Sequence, residues 1–161
     1  MTVYFEKVTI VGVGLIGGSL ALEMKSRKMA GEIVGVGRTL RNLEIAHRRG
    51  MVDRYTQKVE QGAAGANLVV LATPVATMAP LVQRMADLLP EGAIVTDVGS
   101  VKAKVVEDVE AVIPPGVHFV GGHPIAGTEK GGAEAAFLGL FRDHICVLTP
   151  TSRTDSQALE M

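Results

Sequence analysis

Three glycines within residues 12–17 carry the clearest chemical signal in this sequence. The segment reads G-V-G-L-I-G, follows an apolar run at 8–13 and precedes a helical pattern that begins at Leu15. This is the context that the G-x-G-x-x-G pattern requires. The first glycine permits a sharp turn, the second lets the backbone approach a diphosphate, and the third lets a helix pack closely on a strand. We predict that the turn binds a dinucleotide, and the alternative is a structural turn without a ligand. The predicted contacts are Gly12, Gly14, Leu15, Ile16 and Gly17.

The residues that follow the second predicted strand bear on which dinucleotide is bound. NAD-binding domains usually carry an acid about 20 residues after the turn, where it bonds the ribose hydroxyls. Here the strand exit reads V-G-R-T and holds no acid. Because a guanidinium donates paired hydrogen bonds to phosphate, Arg38 predicts NADP, with Thr39 adding a hydroxyl and Arg41 further charge. NAD is the alternative. The other interpretation is that Arg38 and Arg41 only face solvent. Thr73 and Pro74, at the exit of the third strand, complete the predicted cofactor site.

A histidine and a serine stand at the exits of two further predicted strands. His123 lies between glycines and a proline in a predicted loop, and Ser100 lies in the segment D-V-G-S-V-K at 97–102. A histidine titrates near neutrality, so it can accept a proton or polarise a hydroxyl. The plainer interpretations are a histidine that bonds only local backbone groups and a serine that caps a helix beginning at Val101.

Short apolar runs alternate with helical patterns along the chain. This alternation predicts βαβ units and a doubly wound, mostly parallel α/β sheet of Rossmann type, with helices on both faces. Ligands bind such sheets beyond the carboxyl ends of the strands, where the residues above fall. The predicted strands are 8–13, 33–36, 68–72, 93–98, 117–120 and 145–148. The predicted helices are 15–28, which Gly31 ends, then 40–49, 75–89, 101–113 and a weaker one at 132–141.

Composition narrows the partners of this 161-residue chain. The formal net charge is −1 without a long run of one sign, which argues against nucleic acid as a partner. The apolar stretch at 63–82 is broken by Asn67, Pro74 and Pro80, so we predict no membrane association. A single cysteine, Cys146, favours a reducing, cytoplasmic compartment. No metal site is predicted.

Three motifs together resemble the prephenate/arogenate dehydrogenases of tyrosine biosynthesis. They are G-V-G-L-I-G-G-S at 12–19, D-V-G-S-V-K at 97–102 and G-G-H-P-I-A-G-T-E-K at 121–130. The last two, in this order and spacing, are far more specific than the first. The resemblance runs from residue 8 to about residue 150. It implies oxidative decarboxylation of prephenate, or of its amino analogue arogenate, with hydride transfer to a nicotinamide.

The resemblance also implies roles for single residues. His123 contacts the ring hydroxyl of this small-molecule substrate and takes its proton as the carbonyl forms, and Ser100 helps to orient both. Thr128 and Glu129 lie at the mouth of the site and shape it. The cofactor supplies the hydride acceptor, while the protein supplies placement and a base. Arg38 departs from the family pattern, which has an acid there, and this puts NAD specificity in doubt.

Members of the family also carry a helical C-terminal domain, which closes the cleft, binds the substrate side chain through an arginine and forms the dimer. We therefore assign residues 1–150 to a nucleotide-binding domain and 151–161 to the start of a linker or helix toward that domain. A homodimer is expected only in a longer parent chain, and low turnover or none in this one. Two other interpretations are a regulatory module that binds NAD(P) without catalysis and a two-domain dehydrogenase of hydroxy acids or sugar acids. The first needs no base at His123, and the second predicts no H-P-I-A-G block.

Overall fold

Six parallel strands form the central sheet of this protein. The structure is a computed structural model that describes residues 3–161; Met1 and Thr2, which belong to the predicted domain at 1–150, lie outside the described residues. The strands are β1 (Phe5–Val11), β2 (Ala30–Val36), β3 (Arg54–Thr56), β4 (Leu68–Leu71), β5 (Ile94–Asp97) and β6 (His118–Val120). They lie in the order β3-β2-β1-β4-β5-β6. This is the order of a doubly wound dinucleotide-binding sheet, so the predicted fold class is confirmed.

Helices cover both faces of the sheet. They are α1 (Leu15–Ser26), α2 (Leu40–Arg48), α3 (Val59–Ala63), α4 (Met78–Met85), α5 (Lys102–Glu110) and α6 (Ser156–Glu160). Successive strand residues point to opposite faces, so Val8 and Ile10 of β1 enter one apolar core and Val11 enters the other. The first core packs against α1 and α2, and the second packs against α3, α4 and α5.

The sheet changes its winding direction between β1 and β4. Val11, the last residue of β1, is paired with Val36 of β2 on one side and with Leu71 of β4 on the other. Leu71 is in turn level with Asp97 at the end of β5. Ligands bind doubly wound sheets in the crevice at such a switch point. The glycine turn and the exits of β4 and β5 therefore share one edge of the sheet.

A small second sheet contains His123, where the sequence predicts a loop. Strand β7 (Gly122–Pro124) pairs antiparallel with β8 (Cys146–Leu148), and His123 lies opposite Val147. The predicted strand at 145–148 thus exists but does not join the central sheet. A three-residue strand of glycine, histidine and proline shows no apolar alternation, which is why the sequence does not reveal it.

The predicted helix at 132–141 is wrong. Only a 3-10 turn at Ala133–Ala135 forms there, followed by hydrogen-bonded turns. Gly132 and Gly139 have φ values of +78° and +94°, which a right-handed helix does not contain. The amides of Phe137 and Gly139 donate to side chains of α1 instead of carbonyls one helical turn back. Tertiary hydrogen bonds have replaced local ones in this segment.

Several other boundaries differ from the prediction. Helix α1 ends before Lys28, which has a φ of +54°, and Gly31 lies within β2 instead of ending the helix. The N-cap of α5 is Val101, so Ser100 does not cap that helix. The sequence predicts neither β3 nor α3, because elements of three and five residues are too short to show an apolar period.

The last residues fold back onto the sheet. Asp155 is the N-cap of α6, and its carboxylate accepts a hydrogen bond from the amide of Ala158 (2.9 Å). Ala158 is buried in the same core as β1 and β2. The boundary at residue 150 between domain and linker stays a prediction. None of the helices in the described chain combines the length and the apolarity that a membrane crossing needs.

Candidate functional site

Two of the three glycines in the turn are fixed by steric contact. Gly12 has a φ of +100°, and a Cβ built on it would lie 2.3 Å from the carbonyl oxygen of Ala72. A Cβ on Gly17 would lie 2.2 Å from the carbonyl oxygen of Gly12. Both obstructing atoms belong to the backbone, so a side chain would require the backbone itself to shift. With glycine at these two positions, β1, β4 and α1 approach one another more closely than they could with any residue that has a side chain.

Gly14 differs from Gly12 and Gly17, because the space that a side chain on it would occupy is empty. Among the described residues, no heavy atom outside its chain neighbours lies within 4 Å of its ideal Cβ. Gly14 is the N-cap of α1, and the amides of Leu15, Ile16 and Gly17 have no helix carbonyl one turn earlier to bind. Unpaired amides at the positive end of a helix dipole, with open space beside them, fit a phosphate. The turn thus fits a dinucleotide diphosphate.

Thr73 and Pro74 follow β4 and lie beside this turn. Thr73 Cγ2 is 3.1 Å from the ideal Cβ position of Gly12. Thr77 Oγ1 donates a hydrogen bond to Thr73 Oγ1 (3.0 Å) or to the carbonyl oxygen of Pro74 (2.7 Å). These bonds fix the exit of β4, and the structure places this exit beside the glycine turn.

Arg38 and Thr39 lie at the exit of β2, on the other side of the turn. Gln57 Nε2 donates to the carbonyl oxygen of Arg38 (2.5 Å), which anchors the backbone there. The side chain of Arg38 is exposed. Thr39 is the N-cap of α2, although its hydroxyl makes no capping bond. Both side chains are therefore accessible to a ligand that extends from the glycine turn along the end of β2.

A buried ion pair lies at the exit of β5. The Asp97 carboxylate has no solvent exposure and pairs with Lys102 Nζ, whose side chain is 14% exposed. Asp97 Oδ2 also accepts from the amide of Gly99 (2.8 Å), and Oδ1 accepts from the amide of Gly122 (3.2 Å). Lys102 Nζ donates further to the carbonyl oxygen of Gly122 (2.7 Å). The pair therefore joins the loop after β5 to β7, a role that the sequence analysis does not assign.

One signal in the sequence points toward this pair. Asp97 ends a strand that begins with two buried apolar residues, and a carboxylate in such a place must find a partner because burying an unpaired charge is costly. Lys102, five residues later in the same motif, is the cation within reach. The sequence does not show that Gly122 is the third member, since it lies 25 residues beyond Asp97.

His123 is half-buried, and its two ring nitrogens differ. Nδ1 is buried and has no hydrogen-bond partner among the described residues. Ser100, whose side chain is exposed, therefore does not bond to Nδ1. Since solvent does not reach Nδ1, Nε2 is the nitrogen left to meet a ligand. The two residues are connected through their neighbours, because the Asp97 carboxylate binds the amides of Gly99, which precedes Ser100, and of Gly122, which precedes His123.

Thr128 and Glu129 lie in the exposed loop at 125–132. The amide of Lys130 donates to Thr128 Oγ1 (3.2 Å), a bond within the loop itself. No hydrogen bond in the described part of the chain ties either side chain to His123 or Ser100. The structure places both residues in the loop that follows the His123 strand.

The segment after this loop, residues 133–139, is bound to α1 and α2, and we call it the clasped segment. Asn42 Nδ2 donates to the carbonyl oxygen of Val13 in the glycine turn (2.6 Å), while Asn42 Oδ1 accepts from the amide of Ala133 (2.7 Å). The Arg49 guanidinium donates to three carbonyl oxygens of the segment at 2.5, 2.9 and 2.8 Å. Asn42 thus connects the clasped segment to the turn. Nothing in the sequence distinguishes these two residues from solvated positions on a helix.

Comparison with known proteins decides the family. A model of the family described as "Prephenate dehydrogenase, nucleotide-binding domain" matches residues 20–161. The chain belongs to this family. The match begins after the glycine turn, so the assignment of the turn rests on its geometry. It includes the β5 exit, β7 and the clasped segment, and the resemblance seen in the motifs is confirmed.

Members of the prephenate dehydrogenase family that resemble this chain are about twice its length. The prephenate dehydrogenase of Bacillus subtilis is 36% identical over 156 residues, which are 96% of this chain and 42% of that protein. The Aquifex aeolicus prephenate dehydrogenase, solved with hydroxyphenyl propionate and NAD+, matches with a TM-score of 0.90 and 36% identity over 99% of this chain and 56% of that chain. Synechocystis arogenate dehydrogenase matches with a TM-score of 0.86 and 36% identity, over 96% and 53%.

Membership of the prephenate dehydrogenase family confirms that this is a nucleotide-binding domain. It does not test the finer predictions. The choice between NAD and NADP, the substrate, and the roles of single residues stay predictions. These residues are Gly12, Gly14, Leu15, Ile16, Gly17, Arg38, Thr39, Thr73, Pro74, Ser100, His123, Thr128 and Glu129.

Two carboxylates beside the middle of β2, those of Glu32 and Asp53, have lowered pKa values. The hydrogen bonds from Arg54, at 2.6 and 3.0 Å, lower the pKa of Glu32. Burial alone would raise the pKa of Asp53, but hydrogen bonds from Lys25 (2.6 Å) and from the amide of Ile33 (2.7 Å) lower it below its ordinary value. These bonds tie β3 and its preceding turn to the rest of the sheet.

Proposed function

We propose that this chain is the NAD(P)-binding part of a dehydrogenase that oxidatively decarboxylates prephenate in tyrosine biosynthesis. The observation that carries the proposal is the open space at Gly14, at the N-terminus of α1, on the sheet edge that leads to His123. The NAD+ and hydroxyphenyl propionate bound by the Aquifex aeolicus relative support a nicotinamide cofactor and a six-membered-ring substrate. The chain spans 42–56% of the relatives described above, so the proposal concerns the full-length protein.

In this proposal the backbone of residues 12–17 holds the cofactor diphosphate. The first amides of α1 donate to the phosphate oxygens, and the helix dipole favours their negative charge. Thr73 and Pro74 line the crevice beside the turn, toward the nicotinamide. When bound, the cofactor supplies the hydride acceptor, and the remaining chemistry belongs to the protein.

His123 acts as the base in the proposed reaction. Its Nε2 accepts the proton of the ring hydroxyl while the carbon that bears this hydroxyl loses a hydride. The ring carboxylate leaves as CO2, its bonding electrons complete the aromatic ring, and the proton returns to the oxygen to give 4-hydroxyphenylpyruvate. Ser100 orients the histidine and the hydroxyl, and Thr128 with Glu129 shapes the mouth of the site. The buried Nδ1, which leaves Nε2 as the available nitrogen, supports this assignment.

The preferred cofactor in this proposal is NADP. The exposed Arg38 side chain at the end of β2 supports it, because a guanidinium there can pair with a 2′-phosphate, with Thr39 adding a hydroxyl. Calorimetric titration of this chain with NAD and with NADP tests the preference. If neither dinucleotide binds, the proposed function is wrong.

The variant Arg38→Ala tests whether Arg38 binds the 2′-phosphate of NADP. We expect it to weaken NADP binding by about ten-fold or more, the equivalent of one charge-assisted hydrogen bond, and to leave NAD binding nearly unchanged. Arg48→Ala, an exposed arginine at the other end of α2, is the control and should change neither affinity much. Equal losses for NAD and NADP in Arg38→Ala would mean that Arg38 does not read the 2′-phosphate.

His123→Asn in the full-length protein tests the reaction. We expect the turnover of prephenate to fall by about 10²–10⁴, the usual contribution of a general base, with cofactor affinity nearly unchanged. His144→Asn, at an exposed position, is the control and should retain activity. Turnover like that of the wild type in His123→Asn would eliminate His123 as the base.

The same assay with arogenate decides the substrate, and the arogenate dehydrogenase of Synechocystis is the reason to include it. Oxidation of arogenate alone would replace prephenate in the proposal. A full-length protein that binds NAD(P) tightly but oxidises neither compound would instead be a nucleotide sensor. The homodimer of the full-length protein and the cytoplasmic compartment stay predictions.

A further inference from the structure

We propose that Asp97 and Lys102 form a positioning pair that sets the distance between Ser100 and His123. The reaction served by this geometry rests on the proposed function, whereas the geometry itself does not. Neither charged residue touches the reacting atoms in this proposal. They act through the backbone of Gly99 and Gly122, the residues that immediately precede Ser100 and His123.

The pair makes a continuous set of hydrogen bonds between two loops. The Asp97 carboxylate accepts from the amide of Gly99 on its own loop and from the amide of Gly122 on the other, at 2.8 and 3.2 Å. Lys102 Nζ donates to Asp97 Oδ2 and, at 2.7 Å, to the carbonyl oxygen of Gly122. Both backbone polar groups of Gly122 are therefore bound by the same ion pair.

The pair begins where the backbone ladder of the sheet ends. The last paired residues of β5 and β6 are Thr96 and Val120. Beyond them β7 turns away to pair with β8, so the sheet itself no longer fixes the loop after β5 to β7. Side-chain hydrogen bonds from Asp97 and Lys102 continue the connection past that point.

A buried ion pair is a poor device for stability alone. The cost of removing two charges from water offsets much of their attraction, and apolar residues of similar volume often stabilise a protein as well or better. Asp97 is fully buried and Lys102 nearly so, so this cost is incurred here. What such a pair provides, and apolar packing does not, is directional bonding to specified backbone groups.

The ion pair affects the position of the His123 ring. Its Nδ1 has no hydrogen-bond partner among the described residues, so no side chain there orients the ring through that nitrogen. The position of the ring then depends on the backbone of β7, which the pair holds at Gly122. A displacement of about 1 Å at a reacting group can cost about a hundred-fold in rate.

Lys102→Met removes the cation while keeping a long side chain, and Lys102→Arg is the conservative variant. The control is Lys104→Met, which removes the exposed Lys104–Asp108 pair (2.6 Å) from the same helix. Because Lys102→Met leaves a buried carboxylate unpaired, the double variant Asp97→Asn with Lys102→Met is made as well. It carries no buried charge and serves if the single variant does not fold.

The first measurement uses this chain without cofactor or substrate. Amide hydrogen exchange at Gly99 and Gly122 and the ring chemical shifts of His123 are recorded by NMR. We expect exchange at Gly122 to accelerate at least ten-fold and the His123 ring signals to move in Lys102→Met and in the double variant. Lys104→Met should match the wild type, and Lys102→Arg should be intermediate. His123 signals and Gly122 exchange like those of the wild type in both Lys102→Met and the double variant would overturn the proposal.

The second measurement uses the full-length protein with prephenate. We expect Lys102→Met to lower kcat at least ten-fold while the dissociation constant for NAD(P) changes less than three-fold, with partial rescue by Lys102→Arg. A merely structural role would instead lower the fraction of protein that binds NAD(P) in proportion to the loss in kcat, because unfolded chains neither bind nor turn over, and that outcome would overturn the positioning role. A wild-type protein that oxidises neither prephenate nor arogenate would overturn the proposed function instead, and the NMR measurement would then decide the positioning pair alone.

Discussion

The glycine turn and the His123 region share one edge of the sheet but are built in opposite ways. The turn is made within residues 12–17 by backbone atoms that leave no room for a side chain at Gly12 or Gly17. The His123 region pairs with β8 through its backbone, but side chains hold it to the loop after β5, since Asp97 bonds to Gly122 across 25 residues. A local steric constraint appears in a sequence as an obligatory residue type. A long-range hydrogen bond leaves no such pattern around either partner.

The largest effect on stability should come from Gly12→Ala, which tests the steric side of this comparison. The added Cβ would meet the carbonyl oxygen of Ala72 at 2.3 Å in a backbone with a φ of +100°. Left-handed strain and overpacking then add, so we expect the free energy of unfolding to fall by about 3–5 kcal/mol. Urea denaturation measures the loss.

Gly50→Ala is the matched control for this variant. Gly50 also has a positive φ, +72°, but no described atom outside its chain neighbours lies within 4 Å of its ideal Cβ. Only the backbone strain remains there, and we expect a loss of about 1–2 kcal/mol. Equal losses in the two variants would show that the turn is not sterically closed, and the contrast between the two regions would fail.

Gly14→Ala should affect binding and not folding. Because the Cβ would enter open space, we expect the free energy of unfolding to stay within about 0.5 kcal/mol of the wild type. The methyl group would occupy the approach of the diphosphate, and we expect NAD(P) affinity to fall at least ten-fold, or about 1.4 kcal/mol. Gly131→Ala, which also points into open space, should leave the affinity unchanged. An unchanged affinity in Gly14→Ala would place the diphosphate elsewhere.

Elements buried on both faces could be predicted from the sequence. All four residues of β4 are buried, and a parallel sheet between two helical layers requires such apolar runs. The glycines of the turn could also be predicted, since local steric constraints require this residue type there. Strand β3 could not, because its residues Arg54, Tyr55 and Thr56 are exposed or half-buried. An edge strand of this kind shows no apolar run.

The long-range hydrogen-bond partners of polar side chains could not be predicted. Residues 132–141 have a plausible helical composition, yet their amides bond to Ser19 and Glu23, 118 and 116 residues earlier in the chain. Tertiary contacts of this kind override a weak local propensity. Asp97 and Lys102 likewise fall in a recognised motif, but only the folded chain shows that both bind Gly122.

Arg49→Met tests whether side chains also hold the clasped segment. The guanidinium donates three hydrogen bonds to its carbonyl oxygens, but Arg49 is exposed, so we expect a modest loss of about 1–2 kcal/mol. Amide exchange at Phe137 and Gly139 should accelerate with it. Arg48→Met, the exposed neighbour, should change neither quantity. Unchanged exchange in Arg49→Met would mean that the hydrogen bonds from Arg49 do not hold the segment.

The smallest effect should lie outside both regions, at Asp53, and should depend on pH. Its hydrogen bonds from Lys25 and from the amide of Ile33 outweigh the effect of burial and lower its pKa. A carboxylate with a folded-state pKa below the unfolded value of about 4 adds stability above that pH, and the gain is lost as the pH falls through the folded-state pKa. Since the side chain is 42% exposed, screening limits the gain to about 0.5 kcal/mol.

Asp53→Asn should therefore be less stable than the wild type at neutral pH, and the difference should narrow as the pH is lowered below about 4. Urea denaturation of both proteins across this range measures it. Because Asp53 bonds to Ile33 in the middle of β2 and not at the strand exit beside the glycine turn, NAD(P) affinity at neutral pH should not change. A difference that stayed constant with pH would show that the shape of the side chain, and not its charge, matters. A loss of affinity would show that the edge of the sheet is coupled to the turn, which the rigid local construction of the turn argues against.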